Sequence, residues 1–514
     1  MTTATSSSTQ LATLIRALKP IFTRRSLAKI VGAYLLVLIF RYRDTPLGVQ
    51  RRPDLKGPWA LPLLGNLYQI ISLPRNEVLQ RQTLNHEKFG SVYAMTIPGV
   101  GRIINIIDPD MVDHVLRVNF WAYEKGSHMR TMLGPLVGQG IFGADGEHWK
   151  WQRKLASHIF NVKAFRTYTS NVFCQEGQHV VDYLSSVADT GEVVDLQELF
   201  YKFTLESFGE IAFGESFGCL KDPKKEVPFA QAFDRLNHAL SERFISPIWK
   251  LVEWRTGRGK QVEKDTQLIY DFAYRVIRKR REEGFQSDNK NLMQLFMEAH
   301  DETGEPLSDE MLKDTCLNFI IAGRDTTAQA LAWCFYLMHR TGADPAVFQN
   351  LTEETDRILQ GGYPSYESVK QQKYAEACFH ETLRLYPSVP KNIKVCVQDD
   401  VLPGGVKVHR GEKIGWSSWA MGRNVGIWGA DAKEFNPERW LNGEKPSQSK
   451  FVSFHLGPRT CLGQQFATIE AITLMSMLAQ KFTFQLIEPD KEPAYLPSLT
   501  LPMQTGLPVR VYRR

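Results

Sequence analysis

Phe454-His-Leu-Gly457-Pro-Arg459-Thr-Cys461-Leu-Gly463 is the most specific segment of this 514-residue chain. An amphipathic run, 464–480, follows at once, so the spacing predicts a cysteine at a helix start. Free N–H groups and the positive end of the helix dipole favour a thiolate there, which predicts a lowered thiol pKa. Gly457 and Gly463 stand four residues before and two after Cys461, and they let the backbone pass close to a flat ligand. Arg459, two residues before, is placed to meet an anionic group at that ligand's edge. A lone buried cysteine is usually just packed. Typed residues at fixed spacing around it ask for more than packing.

Working outward, 316–335 is apolar nearly all round and predicts a long central helix within the periodic stretch 309–339. Gly323 in its interior is a poor helix former, as are Thr326 and Thr327. A close helix crossing at Gly323 is the plain reading. Glu381 and Arg384 are spaced i,i+3 on one helix face. Their flanks, Cys378, Leu383, Leu385 and Tyr386, are apolar, which predicts a buried pair with its charges matched.

Composition narrows the class. The chain is 43% apolar and 23% charged, ordinary globular values. Residues 1–60 carry ten basic and two acidic side chains, against 52 and 54 in the remainder. The basic pI therefore belongs to the N-terminus, which suits an anionic membrane surface and gives no sign of nucleic-acid binding. Seven widely spaced cysteines without CxxC argue against a disulfide framework or a structural zinc site.

Residues 91–107, 390–415 and 496–513 read as strands, the last as a closing hairpin around Gly506-Leu-Pro508. Helical period appears at 110–118, 147–160, 174–188, 195–212, 229–243, 261–283, 345–359 and 367–385. The class is mainly α (α+β), a large helical domain with small sheets. Gly138-Gln-Gly140-Ile-Phe-Gly143 matches GxGxxG, but its surroundings read as turns on both sides, unlike a dinucleotide loop.

The Cys461 segment resembles that of the cytochrome P-450 family, haem-thiolate monooxygenases. Other segments resemble the family's motifs in order. They are Gly57-Pro58-Trp-Ala-Leu-Pro62-Leu-Leu-Gly65, Trp149-Lys-Trp-Gln-Arg153, Ala322-Gly-Arg-Asp325-Thr326-Thr327, Glu381-Thr-Leu-Arg384 and Pro437-Glu-Arg439-Trp440. The resemblance covers about 57–514 and implies the P-450 fold. It implies haem b with the Cys461 thiolate on iron, and Trp149, Arg153, Lys394, Phe454, Gly457, Arg459 and Gly463 around the cofactor. Lys394 stands where relatives often carry Arg for a haem propionate. The resemblance further implies a groove at Gly323 where dioxygen fits, with Thr326 holding a water and Asp325 relaying protons. An acid beside a hydroxyl is suitable equipment for that. Arg439 becomes the third member of a structural Glu381/Arg384 trio.

No flavin or nicotinamide motif is present, so electrons are expected from NADPH through a separate NADPH-cytochrome reductase, or from a ferredoxin if the protein is mitochondrial. His148, Lys150, Arg153, Lys154 and Lys163 make a basic face for that partner, or a merely solvated one. The division expected is a disordered and amphipathic leader at 1–26, a membrane anchor at 27–43, a basic proline-rich hinge at 44–66, and the haem-thiolate catalytic domain at 67–514. Leu11, Ile15, Leu18 and Phe22 share a helical face in the leader. The run Ile30–Phe40 is short of the roughly 20 residues of an untilted span, so flanking side chains would have to snorkel. The expected location is the endoplasmic reticulum membrane with a cytosolic body, the alternative a mitochondrial transit peptide.

Several segments resemble the fatty-acid and alkane ω-hydroxylase branch, among them Glu381-Thr-Leu-Arg-Leu-Tyr-Pro-Ser-Val-Pro and Leu499-Thr-Leu-Pro-Met. The expected reaction is insertion of one oxygen atom into a hydrophobic molecule, a long-chain fatty acid or alkane. Alternatives are a polyketide, terpenoid or xenobiotic substrate, or a haem-thiolate isomerase or dehydratase. Phe319, Ala322, Val389 and Leu501 are the expected apolar lining. Lys391 brings an extra charge close to that pocket, either to bind a carboxylate or to face solvent.

Overall fold

Helices form almost everywhere the apolar period predicts them in the computed structural model, which describes residues 24–160, 163–244, 246, 248–284, 291–301, 303–443, 445–496 and 498–514. They include Gly146–Phe160, Lys163–Val187, Leu196–Phe213, Pro228–Arg243, Arg258–Glu283, Pro345–Leu359 and Gln464–Ala479. The expected 367–385 helix is two, Tyr366–Gln371 and Lys373–Leu385. Leu67–Ser72, Val78–Phe89, Gly126–Val137, Trp249–Thr256 and Leu292–Met297 are helices the periodicity did not reveal. Gly126–Val137 starts on glycine and holds Pro135, both of which read as breakers.

Strands are β1 Val92–Ile97, β2 Gly101–Ile106, β3 Tyr123–Glu124, β4 Val193–Asp195, β5 Asn392–Cys396, β6 Asp400–Val401, β7 Lys407–Val408, β8 Lys413–Trp416, β9 Phe482–Leu486 and β10 Pro508–Arg513. The main sheet runs β1-β2-β8-β5-β3, with β2 and β8 parallel. Ile104, Ile106, Ile414 and Trp416 make the core under it. The expected C-terminal hairpin is instead a three-stranded sheet, β4-β10-β9, because β10 pairs outside its own segment. Ahead of β10, Tyr495 and Met503 form only an isolated antiparallel bridge.

The 44–66 segment is docked on the body rather than spanning to it. Ala94 N–H donates to the Lys56 carbonyl at 2.8 Å, and Arg52 pairs with Glu412 at 3.0 Å. A Cβ on Gly57 would stand 2.1 Å from the Ala94 carbonyl oxygen, so glycine alone permits that approach. Residues 24–41 form one helix, Arg24–Arg41, offset from the expected 27–43. Its 18 residues span about 27 Å, and it includes Arg24, Arg25, Lys29 and Arg41. Leu27, Ile30, Leu36 and Phe40 are all exposed. Among the described residues no helix is long and apolar enough to cross a membrane. The leader face Leu11–Phe22 lies outside the described residues.

The GxGxxG segment follows the Gly126–Val137 helix, not turns and not a strand. Its glycines serve packing. A Cβ on Gly138 would stand 2.2 Å from the Asp314 carboxylate, and one on Gly140 2.3 Å from the Asn318 amide. Asp314 accepts from Gln139 N–H at 2.8 Å, and Asn318 Oδ1 from Phe142 N–H at 3.0 Å.

Glu381 and Arg384 have fully buried side chains, paired at 2.7 and 2.8 Å. Arg439 reaches Glu381 at 3.4 Å, and Trp440 Nε1–H donates to it at 2.9 Å. Arg384 also donates to the carbonyls of Gly422, Ala432 and Glu434, tying the end of the Ser418–Gly422 helix and the 432–434 loop to one helix. A buried charge stripped of its partner is costly. Glu381→Ala should therefore lower stability by about 3–5 kcal/mol, whereas a surface i,i+3 pair would cost a few tenths. Urea unfolding of the purified variant checks this.

Candidate active site

The loop before Gln464–Ala479 is held by its own backbone. Cys461 N–H donates to the Phe454 carbonyl at 2.8 Å, and Thr460 N–H to that of Gly457 at 3.0 Å. Gly457 has φ +67°, and a Cβ there would stand 2.1 Å from the Leu116 carbonyl oxygen. The turn and the neighbouring Leu116 thus both require glycine. Gly463 has ordinary φ, and its nearest contact is Cys461 Sγ, 3.9 Å from a built Cβ. Phe454 is half-buried and packs edge-on against Phe451 and His380.

Cys461 combines two properties that rarely coincide: its side chain is accessible, yet it lies deep enough to lose its hydration. An internal cavity reconciles them. Burial pushes its thiol pKa up, against the downward pull of the Gly463 N–H and of Arg153. The expected lowering is thus reversed, because desolvation outweighs one N–H bond and one nearby cation. The other six cysteines are free, five of them buried, and act as small core hydrophobes.

Around this loop lies an excess of positive charge. Arg459 is stacked on the Trp149 ring at 4.3 Å and donates to Asp145 at 2.9 Å. Its Nε finds no acceptor. Lys394 is fully buried, donates to the Tyr123 carbonyl at 3.2 Å and sits over Phe120 at 4.5 Å. Lys125 and His455 complete the group, and His455 Nε2 is also unpaired. Desolvation pushes every one of them down, Arg459 to about 10, Lys125 to about 8, and Lys394 and His455 well below their usual ranges. Asp145 alone accepts from Arg459, Arg130 and the N–H groups of Lys125 and Gly126. Glu124 adds a weaker pull on Arg459 and Lys394, and the two carboxylates still leave Arg459, Lys394, Lys125 and Arg130 in excess. The arrangement has the chemistry to receive a further anion. Lys125, Asp145 and His455 were not singled out from sequence, since Lys125 and Asp145 sit far from the cysteine segment and His455, within it, carries no spacing signal.

The central helix is interrupted. Asp309–Ile320 and Thr326–His339 are ordinary turns, but Ile321–Asp325 is a wide π turn. Its cause is Gly323, where a Cβ would stand 2.3 Å from Phe208, so the close crossing is real. The loosened carbonyls are met by hydroxyls. Thr326 Oγ1–H donates to Ala322 O at 2.7 Å, Thr204 Oγ1–H to Arg324 O at 2.9 Å, and Ser388 Oγ–H to Thr326 O at 2.8 Å. Ala322, Gly323 and Thr326 keep accessible surface while Ile321, Arg324, Asp325 and Thr327 are buried. That open strip is a groove.

Behind the groove, Asp325 is buried and accepts from Arg324 at 2.9 Å and Asn237 at 3.0 Å. Burial raises its carboxyl above the usual carboxylate range, although Arg324 and Asn237 oppose this. Arg324 also bonds Asp234 at 3.0 Å, and Asp234 is 53% exposed. Ion pairs therefore link the exposed Asp234, through Arg324, to the buried Asp325.

Of the expected apolar lining, Ala322 and Val389 have accessible surface beside Thr326. Phe319 does not line the groove. It is 8% exposed and packs on Phe160 and Phe296, each with centroids 5.5 Å away. Leu501 is 1% exposed; its backbone is pinned to Gln329 and Trp333, and its side chain is core. Both residues lie off the open strip, which sequence spacing alone does not resolve. A separate cleft of about 260 Å³, lined by Trp151, Leu155, Met311 and Phe319 among others, contains none of Cys461, Thr326 or Val389. Arg153 is half-buried within electrostatic reach of Cys461, and Trp149 is buried beneath Arg459.

A mainly helical body, a cysteine loop opening inward and a hydroxyl-capped groove define a haem-thiolate oxygenase architecture. The chain belongs to the cytochrome P450 family: the family's model matches residues 55–507. It is similar to the cytochrome P450 monooxygenase cyp1 of Mycosarcoma maydis, 38% identical over 94% of this chain and 80% of that one. It is also similar to cytochrome P450 86B1 of Arabidopsis thaliana, 36% identical over 79% of this chain and 76% of the other. Cytochrome P450 CYP94D109 of Paris polyphylla is 33% identical over 93% and 94%. The protein is a cytochrome P450 monooxygenase, and membership implies a haem with a thiolate ligand.

The depressed Lys125 gives a sign-specific consequence. Below about pH 8 the folded protein holds this ammonium at a cost, while the unfolded chain keeps its usual value of 10.5. Between the two, the unfolded state binds more protons, so stability should rise with pH. In cofactor-free protein Lys125→Met should flatten that rise. Denaturant midpoints between pH 7.5 and 10 provide the measurement.

Proposed function

We propose that Cys461 would ligate a haem b through its thiolate and that the surplus cations around it would hold the propionates. The single observation that carries this is the inward-opening Cys461 beside a cluster with more positive charge than Asp145 and Glu124 can match. Arg459, Lys394 and Arg153 would hold the cofactor's carboxylates, with Trp149 bracing Arg459 and Phe454 and Gly457 shaping the loop. Lys125 and His455 add to that set. The residues fit the group: Arg459 Nε and His455 Nε2 are buried donors without acceptors. When bound, haem with a thiolate ligand supplies dioxygen activation and oxidising power.

The chain's own work is binding, orientation and proton delivery. Thr326 presents its hydroxyl at the groove, where it holds a water. Asp325 is the acid that would pass a proton towards Thr326, and Arg324 and Asn237 hold its carboxyl in place. Its raised pKa suits an acid that both gains and loses a proton near neutrality. Ala322 and Val389 offer an apolar wall, and bulk water is excluded by the buried helix flanks. Electrons come from an NADPH-cytochrome reductase. The exposed Trp121 lies 6.0 Å from the Lys150 ammonium and against Trp149, one indole away from Arg459. That surface, with exposed Lys154, is where the reductase docks.

The substrate is a long-chain fatty acid or alkane, hydroxylated by insertion of one oxygen atom. Support comes from the ω-hydroxylase-like segments and from the apolar groove wall. The body sits at the endoplasmic reticulum membrane, on its cytosolic side. The exposed apolar faces of Arg24–Arg41 support lipid contact, as do Trp59, Leu64, Tyr68 and Ile71. Ile248, Leu251 and Trp254 are likewise exposed, close to the Arg75–Glu242 bridge that joins the two regions.

Cys461→Ala should abolish the red-shifted CO band of the reduced protein. Thr326→Ala should keep that band while product per NADPH falls several-fold and hydrogen peroxide rises. A surviving band in the first variant, or unchanged coupling in the second, overturns the respective role. For the substrate, dodecane and C12–C18 acids should shift the haem spin state and be hydroxylated. Turnover of sterols or aromatics without any response to chains would remove the fatty-acid and alkane reading and leave the monooxygenase intact.

A further inference from the structure

The segment after the Glu381 helix crosses the open strip. Ser388 is tied to the Thr326 carbonyl at 2.8 Å. Two residues on, the Pro390 carbonyl accepts from Trp419 N–H at 3.2 Å and from the Ser417 hydroxyl at 3.3 Å. Val389 is therefore fixed from both sides, and Lys391 emerges from a rigid backbone just before β5. Three extended residues reach at most about 10 Å, which keeps Lys391 close to the groove.

Lys391 shares the unusual combination seen at Cys461. Its side chain is accessible, yet its ammonium is desolvated as an interior group is. A lysine on the outer surface would keep its hydration, and one packed in the core would show no surface. An opening into the internal cavity satisfies both. Burial pushes its pKa down, and no charged group acts on it in either direction. Lys125, Lys394 and Arg459 are not among the groups that shift it. Lys394, three residues on, spends its ammonium on the Tyr123 carbonyl and the Phe120 face. Among the described residues Lys391 has no hydrogen bond or ion pair.

A dry, unpaired ammonium is expensive, and a charge-assisted bond to an incoming anion recovers that cost. The unit charge, without a second cation, matches a monoanion better than a phosphate. We propose that Lys391 recognises a carboxylate on the substrate, so that the enzyme prefers fatty acids to uncharged chains. This rests on the long-chain reading above and narrows it.

The test uses the purified holoenzyme and spectral titration of two matched pairs: dodecanoic acid with dodecan-1-ol, and 4-phenylbutanoic acid with its amide. The wild type should bind each acid more tightly than its neutral partner. Lys391→Met should weaken the acids at least tenfold and the neutral partners less than twofold. Lys391→Arg should retain most of the preference, and an intact CO band reports that each variant is folded. If Lys391→Met does not fold, Lys391→Gln takes its place. A Lys391-dependent acid preference confined to the aryl pair, with no response to either chain, keeps Lys391's role and sinks the long-chain substrate. No acid preference in either pair, or a preference that survives Lys391→Met, overturns the proposal.

Discussion

The contact between Gly323 and Phe208 is the constraint on which the site depends. Two helices approach so closely that no side chain fits, and the central helix widens by one residue to allow it. Widening frees carbonyls in a buried place, where each must be satisfied. Thr326, Thr204 and Ser388 supply the hydroxyls. In doing so they fix the Leu196–Phe213 helix and the segment leading to β5 against the same turn. Asp314 and Asn318 hold the Gly138 loop one turn earlier, and Gln329 and Trp333 hold residues 500–501 one turn later. One helix thus organises three separate loops through side chains that satisfy backbone groups, and the groove is what remains open.

The electrostatics divide the interior. Behind the groove the cation is fully answered: Arg324 lies between Asp234 and Asp325, with its guanidinium 4.6 Å over the Tyr201 ring. Around the cysteine loop the cations are not, and Lys394, Lys125 and Arg459 share Asp145, while His455 is held neutral by burial and by those cations. A matched network tolerates proton exchange without large rearrangement. An unmatched one is costly until an anion arrives, which ties the order of this region to whatever it binds.

Much of this was legible in the sequence. The Cys461 loop, the Glu381–Arg384 pair and the central helix were each written as local spacing, and local spacing survives folding. The main sheet was only partly visible, because β2 and β8 pair across 300 residues. Helices such as Gly126–Val137 were hidden by glycine and proline that tertiary packing overrides. Phe319 and Leu501 were placed by helical spacing and by the family fold, and neither reveals from sequence how closely Phe160, Phe296, Gln329 and Trp333 pack around them. The direction of the Cys461 shift was also misread, since a helix start can be recognised from sequence but the loss of water around it cannot. Lys125 joins the site only through three-dimensional proximity, whereas His455 stands in the cysteine segment itself.

The same reasoning separates cations by what each already has. Arg384 has Glu381, and Arg324 has two carboxylates. Arg423 is deep but lies 3.4 Å over the Trp419 ring and donates to the Leu385 carbonyl. Arg459 and Lys394 lack full compensation, but they stand together, where a group with two carboxylates answers both. Lys391 has neither a partner nor a companion, and its backbone is held rigidly beside the groove. A cofactor that answers Arg459 and Lys394 leaves Lys391 to another anion. The remaining molecule that enters this cavity is the one to be oxidised, so the charge left over by the fold falls to the substrate.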